Sequence, residues 1–386
     1  MPLNNLLQTQ RALAEEIWSV YESGFLPNAL LFSGESGSSR LTGALDLAFT
    51  LTHEENRRDL LSSERVIYFP SRKFSSSLHA SIELFRVQRT KSSRVFMIES
   101  VRKALLQYNG ALLDSYDSKT QSLFGVASSI DEALLEAEAD RDYSEKECDE
   151  LCSFLNKALF SSSFLTKGKK SNSITIDEIR AIKEWMSDKG DDKVAIFENV
   201  EDSTDAAKNS LLKLLEEPNE NSHLILISKQ PQRLLPTILS RVRKFNFPEL
   251  SSDAITDLIN RKFSLYGSKY TSFEAFYFEK AHGEEVKDEM NRYMNLFCDS
   301  LMNKTALSLE EEEKLIAFLD KADGYLYFRE ALTNKLESLL FLDASKRGKL
   351  KRIYSLFNSW QTNRDVFNLS DRMALDLALR EAFLVK

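Results

Sequence analysis

The sequence predicts a parallel α/β domain of the nucleotide-binding kind, followed by a wholly helical part. Short apolar runs alternate with stretches of helical periodicity over residues 1–248, which is the pattern of strands joined by crossover helices. A Gly/Ser loop follows the first apolar run, and strand patterns stop at Pro248. Because single cores rarely grow beyond ~250–300 residues, a chain of 386 residues is expected to form two or three domains.

The individual elements follow from residue spacing. Apolar residues recur at helical spacing over residues 6–22 and predict one amphipathic helix. The run Ala29–Ser33 predicts a buried strand, and residues 41–51 predict the helix after its loop. Further strands are predicted at residues 66–70, 194–198, 223–228 and 244–247, and further helices at residues 176–186, 204–217, 251–263, 272–282, 284–303 and in several places over 308–386.

Residues 71–172 form a long segment that the strand–helix alternation does not need. A structureless loop of that length is improbable in a compact domain, so we expect an inserted, mainly helical module that ends in the flexible run Lys167–Ser173. Residues 131–150 carry an acidic helical pattern. The first part is basic, with these eight cations: Arg72, Lys73, Arg86, Arg89, Lys91, Arg94, Arg102 and Lys103.

Two interpretations of this basic part remain open. Lys/Arg clusters bind nucleic-acid phosphates, and the interleaved Phe74, Phe85 and Phe96 are able to stack on bases. The same spacing equally fits a buried apolar face with a solvated charged side, which is the commoner arrangement. The net charge of −8 argues against a stand-alone nucleic-acid binder.

Composition also limits the compartment and the metal chemistry. The chain lacks an apolar run of ~20 residues and a signal-peptide pattern at its first residues, so a cytoplasmic protein with no membrane partner is expected. Its three cysteines exclude a disulfide framework. Cys148 and Cys152 share a helix face, but with Cys298 distant we expect buried or idle thiols and no metal site.

The loop after the first strand occupies the position of a phosphate cradle. A working P-loop reads G-x-x-x-x-G-K-[ST], with glycines around the phosphates, a lysine on them and a hydroxyl on magnesium. Here Gly34 and Gly37 are present, but Ser39 replaces the second essential glycine, where a left-handed backbone is costly. Arg40 replaces the lysine, and Leu41 is unable to ligate magnesium. The motif is therefore interpreted as a relic.

The strand at residues 194–198 has lost a second element. An ATPase of this type ends the strand in a magnesium-associated aspartate followed by a water-activating glutamate. This chain has Glu198, a longer acid that is still able to lie near a metal, and Asn199, which is unable to accept a proton from water. Nucleotide binding and hydrolysis have thus each lost key groups, and no intrinsic ATPase activity and no bound cofactor are expected, although weak nucleotide binding stays open.

A more specific pattern follows. Residues 209–218 read NSLLKLLEEP, a buried strand comes next, and residues 233–242 read RLLPTILSRV. These motifs, their order and the lead-in at residues 26–32 resemble the clamp-loader branch of the AAA+ family in bacterial DNA polymerase III. The resemblance covers residues 1–70 and 173–248, about two fifths of the chain. The family often carries a four-cysteine zinc module where this chain has its insert.

The resemblance implies both an architecture and a role. The architecture is an AAA+ domain, with a P-loop NTPase-like parallel sheet and flanking helices, over residues 1–248, then an all-α lid over 249–303 and an all-α collar over 304–386. Within the family, the relic loop combined with a retained Ser-Arg pair resembles the delta-prime type of subunit. Arg241 then matches an arginine finger for a neighbour's ATP, with Ser240 fixing its turn and Val242 as a packing residue.

The implied partners are the gamma or tau ATPase and delta subunits, with the sliding clamp and primer–template DNA reached through the complex. Residues 216–218 are expected to close a helix and orient the next loop. Two other functions stay open. One is an active but divergent ATPase of the gamma or tau type, and the other is a DNA-binding or interaction module that has kept only the fold. If the motif over residues 233–242 is disregarded, Arg241 is interpreted as a surface arginine in a salt bridge.

Overall fold

A computed structural model describes most of the chain. The described residues are 3–35, 37–55, 63–71, 74–116, 118–139, 141–160, 164–166, 174–187, 190, 192–216, 218–219, 221–265, 267, 269–270, 272–303, 307–342, 347–366 and 371–384. The chain divides into two compact units, Met1–Ser272 and Phe273–Lys386. The predicted exit Lys167–Ser173 and two of the predicted basic residues, Arg72 and Lys73, lie outside the described residues.

The centre of the first unit is a parallel sheet. Its strands among the described residues are β1 (Ala29–Ser33), β2 (Val66–Phe69), β3 (Lys193–Glu198), β4 (Ser222–Ser228) and β5 (Arg243–Asn246). Their order is β2-β3-β4-β1-β5, and each neighbouring pair is parallel. The predicted strands and the α/β class are confirmed. The first four strands are buried almost throughout, because helices cover both faces of the sheet.

Seven helices of the first unit surround or adjoin this sheet outside the insert: α1 (Asn4–Thr9), α2 (Arg11–Glu22), α3 (Arg40–Leu51), α8 (Ile176–Ser187), α9 (Asp205–Glu216), α10 (Pro236–Leu239) and α11 (Ser252–Phe263), counted over the described ranges. The insert contributes α4 (Ser75–Gln88), α5 (Lys91–Leu105), α6 (Ser118–Ala137) and α7 (Glu145–Leu159). The described part of the insert is therefore mainly helical.

Two of the predicted helices are divided in the structure. Residues 6–22 form α1 and α2 because Gln10, with φ −141° and ψ 63°, leaves the helical region. Its side-chain amide donates to the carbonyl of Pro248 at 2.6 Å, which fixes the break. The acidic pattern over 131–150 likewise belongs to the end of α6 and the start of α7, where Ser144 and Glu147 form a capping box.

The two faces of the sheet belong to two separate cores. Alternate strand residues such as Ala29, Leu31 and Phe197 pack with α8 and α9. The opposite face, with Leu30 and Phe32, packs with α1, α2 and α3 and also with the apolar faces of α4, α5, α6 and α7. The insert is therefore not a separate module, because it shares one continuous core with the sheet.

The second unit is helical over its described residues. Its helices are α12 (Phe273–His282), α13 (Glu284–Asn303), α14 (Leu309–Ala322), α15 (Tyr325–Leu342), α16 (Arg347–Val366) and α17 (Asp371–Leu384). They share a core of Leu and aromatic side chains. The units divide after Ser272, so α11, which was expected to open the lid, belongs to the first unit. The further division into lid and collar stays a prediction.

No helix of the described chain is both long enough and apolar enough to cross a membrane.

Candidate functional site

The relic P-loop and the end of β3 lie at the same edge of the sheet. In a parallel sheet all carboxyl ends of the strands meet at one edge, where α/β proteins bind ligands. Residues 34–39 follow β1, and Asn199 follows β3, with β4 between these two strands. The structure thus places the two groups of predicted residues at neighbouring positions.

The backbone of the relic loop keeps a strained form. Ser39 has φ 66° and ψ 18°, in the left-handed region that the sequence predicts to be costly for a residue other than glycine. Gly37 also has a positive φ, of 80°. Gly34 is required by a close approach, because a Cβ atom there would lie 2.3 Å from the carbonyl oxygen of Phe247. Ser36 lies outside the described residues.

The two side chains that replace the lysine and the hydroxyl are both buried. Arg40 is the first residue of α3 and is 6% exposed. Leu41 belongs to the hydrophobic core that covers one face of the sheet, so the magnesium-ligand position is occupied by an apolar packing contact. Leu41 therefore anchors the start of α3 in the core.

Glu198 and Asn199 form a polar cluster with the end of β2. The Glu198 carboxylate is 5% exposed, and its Oε2 atom accepts hydrogen bonds from the Tyr68 hydroxyl at 2.7 Å and the Ser71 amide at 3.3 Å. The Asn199 side-chain amide donates to the Ser71 hydroxyl at 3.1 Å. The acid at the end of β3 thus holds the point where the insert leaves the sheet. Tyr68 and Ser71 were not predicted as its partners, because they lie about 130 residues away.

Glu201 is a second buried acid at this edge, and sequence reasoning missed it. Its Oε1 atom accepts hydrogen bonds from the backbone amides of Lys229 at 2.8 Å and Gln230 at 3.0 Å. Nearby, Asp202 pairs with Arg233 at 3.0 Å. These contacts fix the turn after β4 to the turn after β3, at the start of the connection that carries the Ser-Arg pair. No motif spacing connects Glu201 with these amides.

Arg241 is held by two helix ends. Its Nη1 atom donates to the Thr237 carbonyl at 2.8 Å and approaches the Ser240 hydroxyl at 3.4 Å, and its Nη2 atom donates to Glu216 at 2.7 Å. The Arg241 side chain remains 35% exposed. Val242 is partly buried against the core of α8 and α9, as predicted for a packing residue. Glu217 lies outside the described residues.

Arg241 lies at the opposite edge of the sheet from the relic loop. It comes two residues before β5 begins, and the first residue of β5, Arg243, pairs with Leu30 near the amino end of β1. Gly34 follows the carboxyl end of the same β1 strand. Five strand residues at ~3.3 Å each separate the two edges by roughly 15 Å. Arg241 is therefore remote from the nucleotide position of its own chain.

The charges of the insert pair with one another. Arg86 contacts Asp149 at 3.5 Å and Arg89 contacts Glu145 at 3.3 Å. Arg102, 2% exposed, pairs with Asp131 at 3.3 Å and also with Glu138. Basic and acidic parts that are separate in the sequence thus neutralise each other in the fold.

The aromatic rings of the basic part point inward. Phe74, Phe85 and Phe96 are 5%, 1% and 8% exposed, so the prediction of a buried face is confirmed. The alternative hypothesis, that these rings stack on bases, is wrong. A nearby surface arginine is also paired. Arg141 lies over the Tyr143 ring and pairs with Glu147 at 2.6 Å. Hydrogen bonds from Ser144 and Arg141 lower the pKa of Glu147 to about 2, so this carboxylate stays ionised.

The three cysteines are buried, which confirms the interpretation as buried thiols. Burial raises the pKa of the Cys152 thiol to about 11 and that of Cys298 to about 12, and it also raises the pKa of Cys148. All three are therefore protonated at neutral pH, which makes them poor nucleophiles and poor metal ligands.

Comparison with known proteins finds matches to part of this chain. The model of the family described as "DNA polymerase III, delta subunit" matches residues 107–251, which contain β3, α9 and the Ser-Arg pair. The delta-prime subunit of Bacillus subtilis is 43% identical over 88 residues, 22% of this chain and 27% of that subunit. Over these segments the chain is similar to DNA polymerase III clamp-loader subunits. The second part of the insert lies inside the matched segment.

Other matches are also partial. The tau subunit of Bacillus subtilis is 36% identical over 89 residues, 22% of this chain and 16% of that subunit. A solved gamma subunit-related protein from Thermotoga maritima is 21% identical, with a TM-score of 0.31, and the alignment covers 56% of this chain and 81% of that one. The chain thus spans about a quarter or less of the length of the curated relatives it matches.

The strain at Ser39 predicts a stabilising substitution. Ser39→Gly removes the left-handed penalty and should raise the free energy of unfolding by on the order of 1 kcal/mol, measured by urea unfolding. Gly37→Ala is the matched control. A Cβ atom at Gly37 meets no atom within 4 Å, so only the backbone penalty applies and stability should fall by a similar amount. Lower stability of Ser39→Gly would contradict this interpretation.

The internal pairing of the insert predicts a large cost for removing Arg102. Arg102→Ala leaves Glu138 and Asp131 without their buried cation, and the free energy of unfolding should fall by about 3 kcal/mol. Arg180→Ala removes an exposed pair with Asp177, whose side chains are 70% and 76% exposed, and should change stability by less than about 0.5 kcal/mol. Equal effects of the two substitutions in urea unfolding would show that the insert does not depend on this pairing.

Proposed function

We propose that this chain is the non-hydrolysing, delta-prime-type subunit of a bacterial DNA polymerase III clamp loader. In this role it assembles with gamma or tau ATPases and a delta subunit in the cytoplasm. It supports ATP-dependent loading of the sliding clamp onto primed DNA. Its own contribution to the chemistry is Arg241, which it donates to the ATP of a neighbouring subunit.

The observation that carries this proposal is the placement of Arg241 at the amino edge of the sheet. An arginine side chain is too short to cross the roughly 15 Å between the two edges, so Arg241 is unable to serve a nucleotide at residues 34–40 of its own chain. A guanidinium that is 35% exposed at that edge is available to another molecule. Developing negative charge on a transferring phosphoryl group is the ligand that such a finger stabilises.

The chemistry at the carboxyl edge supports the non-hydrolysing part of the proposal. Leu41 is packed in the core, so it offers no oxygen to magnesium. Glu198 accepts hydrogen bonds from Tyr68 and Ser71, which holds its carboxylate toward β2. Asn199 lacks the basicity to activate water. Each group that an ATPase would use at this edge is absent or serves the fold.

The similarity to the tau subunit favours a second candidate, a divergent but active ATPase. The two candidates differ in whether the isolated chain hydrolyses ATP. Under the first proposal, the purified chain releases no phosphate from ATP above the level of a Glu198→Gln variant in a phosphate-release assay. Turnover that this substitution abolishes would establish the second candidate and reject the first.

The finger is tested in a reconstituted complex with the ATPase and delta subunits. Arg241→Ala should lower DNA-stimulated ATP hydrolysis and clamp loading at the site it serves by at least ~10³-fold, while the complex still assembles. The matched control is Arg243→Ala, two residues along the chain and also exposed, which should leave both rates within about twofold. Unchanged hydrolysis and loading with Arg241→Ala would reject the assignment.

A further inference from the structure

The Arg241–Glu216 contact joins two motifs that are 25 residues apart. Glu216 is the last residue of α9, and Arg241 follows the short helix α10. The Arg241 Nη2 atom donates to Glu216 Oε1 at 2.7 Å, while Nη1 donates to the Thr237 carbonyl at 2.8 Å. One side of the guanidinium is therefore fixed by a carboxylate and the other by a helix end.

Stability does not account for this arrangement. Both side chains are well exposed, at 35% for Arg241 and 48% for Glu216, and exposed pairs contribute little to folding. A carboxylate at the last residue of a helix also faces the negative end of the helix dipole, which disfavours it. The placement of Glu216 is explained instead by the cation that it holds.

The helix that carries Glu216 is a rigid support. Ala207, Leu211, Leu214 and Leu215 are buried in the core beneath the sheet, so the end of α9 has a fixed position. A free arginine side chain samples many rotamers. Each time it bound a phosphate, it would lose this conformational entropy, which would weaken the contact. A guanidinium has five N–H groups, so contacts with Glu216 and Thr237 still leave donors for a phosphoryl group.

We infer that Glu216 is a positioning residue for Arg241, holding the guanidinium in the direction in which it meets the neighbour's phosphate. This inference rests on the proposed function of Arg241 as a finger. Glu216 acts through a hydrogen bond to Nη2, so an acceptor of the same length preserves the effect. Its removal leaves the arginine present but held on the Thr237 side alone.

The test uses the reconstituted complex with five versions of this chain: unmodified, Glu216→Gln, Glu216→Ala, Arg241→Ala and the Glu216→Ala/Arg241→Ala double variant. Glu216→Ala should lower the kcat of DNA-stimulated ATP hydrolysis about tenfold with KM unchanged, because a misplaced catalytic group costs rate rather than ground-state binding. Glu216→Gln keeps an acceptor and should stay within about twofold of the unmodified chain. The double variant should match Arg241→Ala, since Glu216 has no role once the arginine is absent.

Asp177→Ala is the matched control. It removes the acid of another exposed pair in the same unit, that with Arg180, and should leave kcat and KM unchanged. Thermal unfolding of each variant checks that the fold is intact.

The outcomes separate the inference from the proposed function. If Arg241→Ala leaves hydrolysis unchanged, the finger itself is rejected. If Arg241→Ala lowers hydrolysis but Glu216→Ala does not, the finger stands and the positioning role is overturned. A loss with Glu216→Gln as deep as with Glu216→Ala, or a further loss in the double variant below Arg241→Ala, also overturns the positioning role.

Discussion

The common direction of the five strands is the constraint on which the rest of the first unit depends. Every neighbouring pair is parallel, so the carboxyl ends of the strands meet at one edge of the sheet and the amino ends at the other. Each connection between strands therefore has to return over a face of the sheet from the carboxyl edge to the amino edge. The relic loop and Asn199 follow carboxyl ends, whereas Arg241 precedes an amino end. The separation of the loop after β1 from Arg241 is thus a property of strand direction before any side chain is considered.

At the carboxyl edge, the side chains that follow the strands make contacts within the fold. Glu198 binds the backbone and hydroxyl groups at the end of β2, and Leu41 packs where a metal-ligating hydroxyl would stand. Ser39 keeps the left-handed backbone of the loop although no side chain benefits from it.

The predictions from sequence succeed where the signal is local. Apolar runs such as Ala29–Ser33 give the strands. The loss of chemistry at Leu41 and Asn199 is inferred from side-chain identity and stays a prediction. The break at Gln10 was missed because it depends on a carbonyl 238 residues away. The Glu201 contacts and the pairing of Arg102 were missed for the same reason, since no periodicity encodes which distant groups a fold brings together. The charge segregation of the insert therefore suggested a binding surface where the structure has internal pairs.

The shared core of the insert and the sheet has a consequence for how this chain varies and unfolds. Ile82, Phe85 and Val101 pack in the same cluster as Leu30 and Phe32. The helices of the insert therefore help to bury one face of the sheet. Shortening the chain between β2 and α8 would leave an apolar sheet face open to water. Amide hydrogens of α4 and α5 should accordingly exchange with solvent in the same cooperative opening as those of β1, as members of a single foldon.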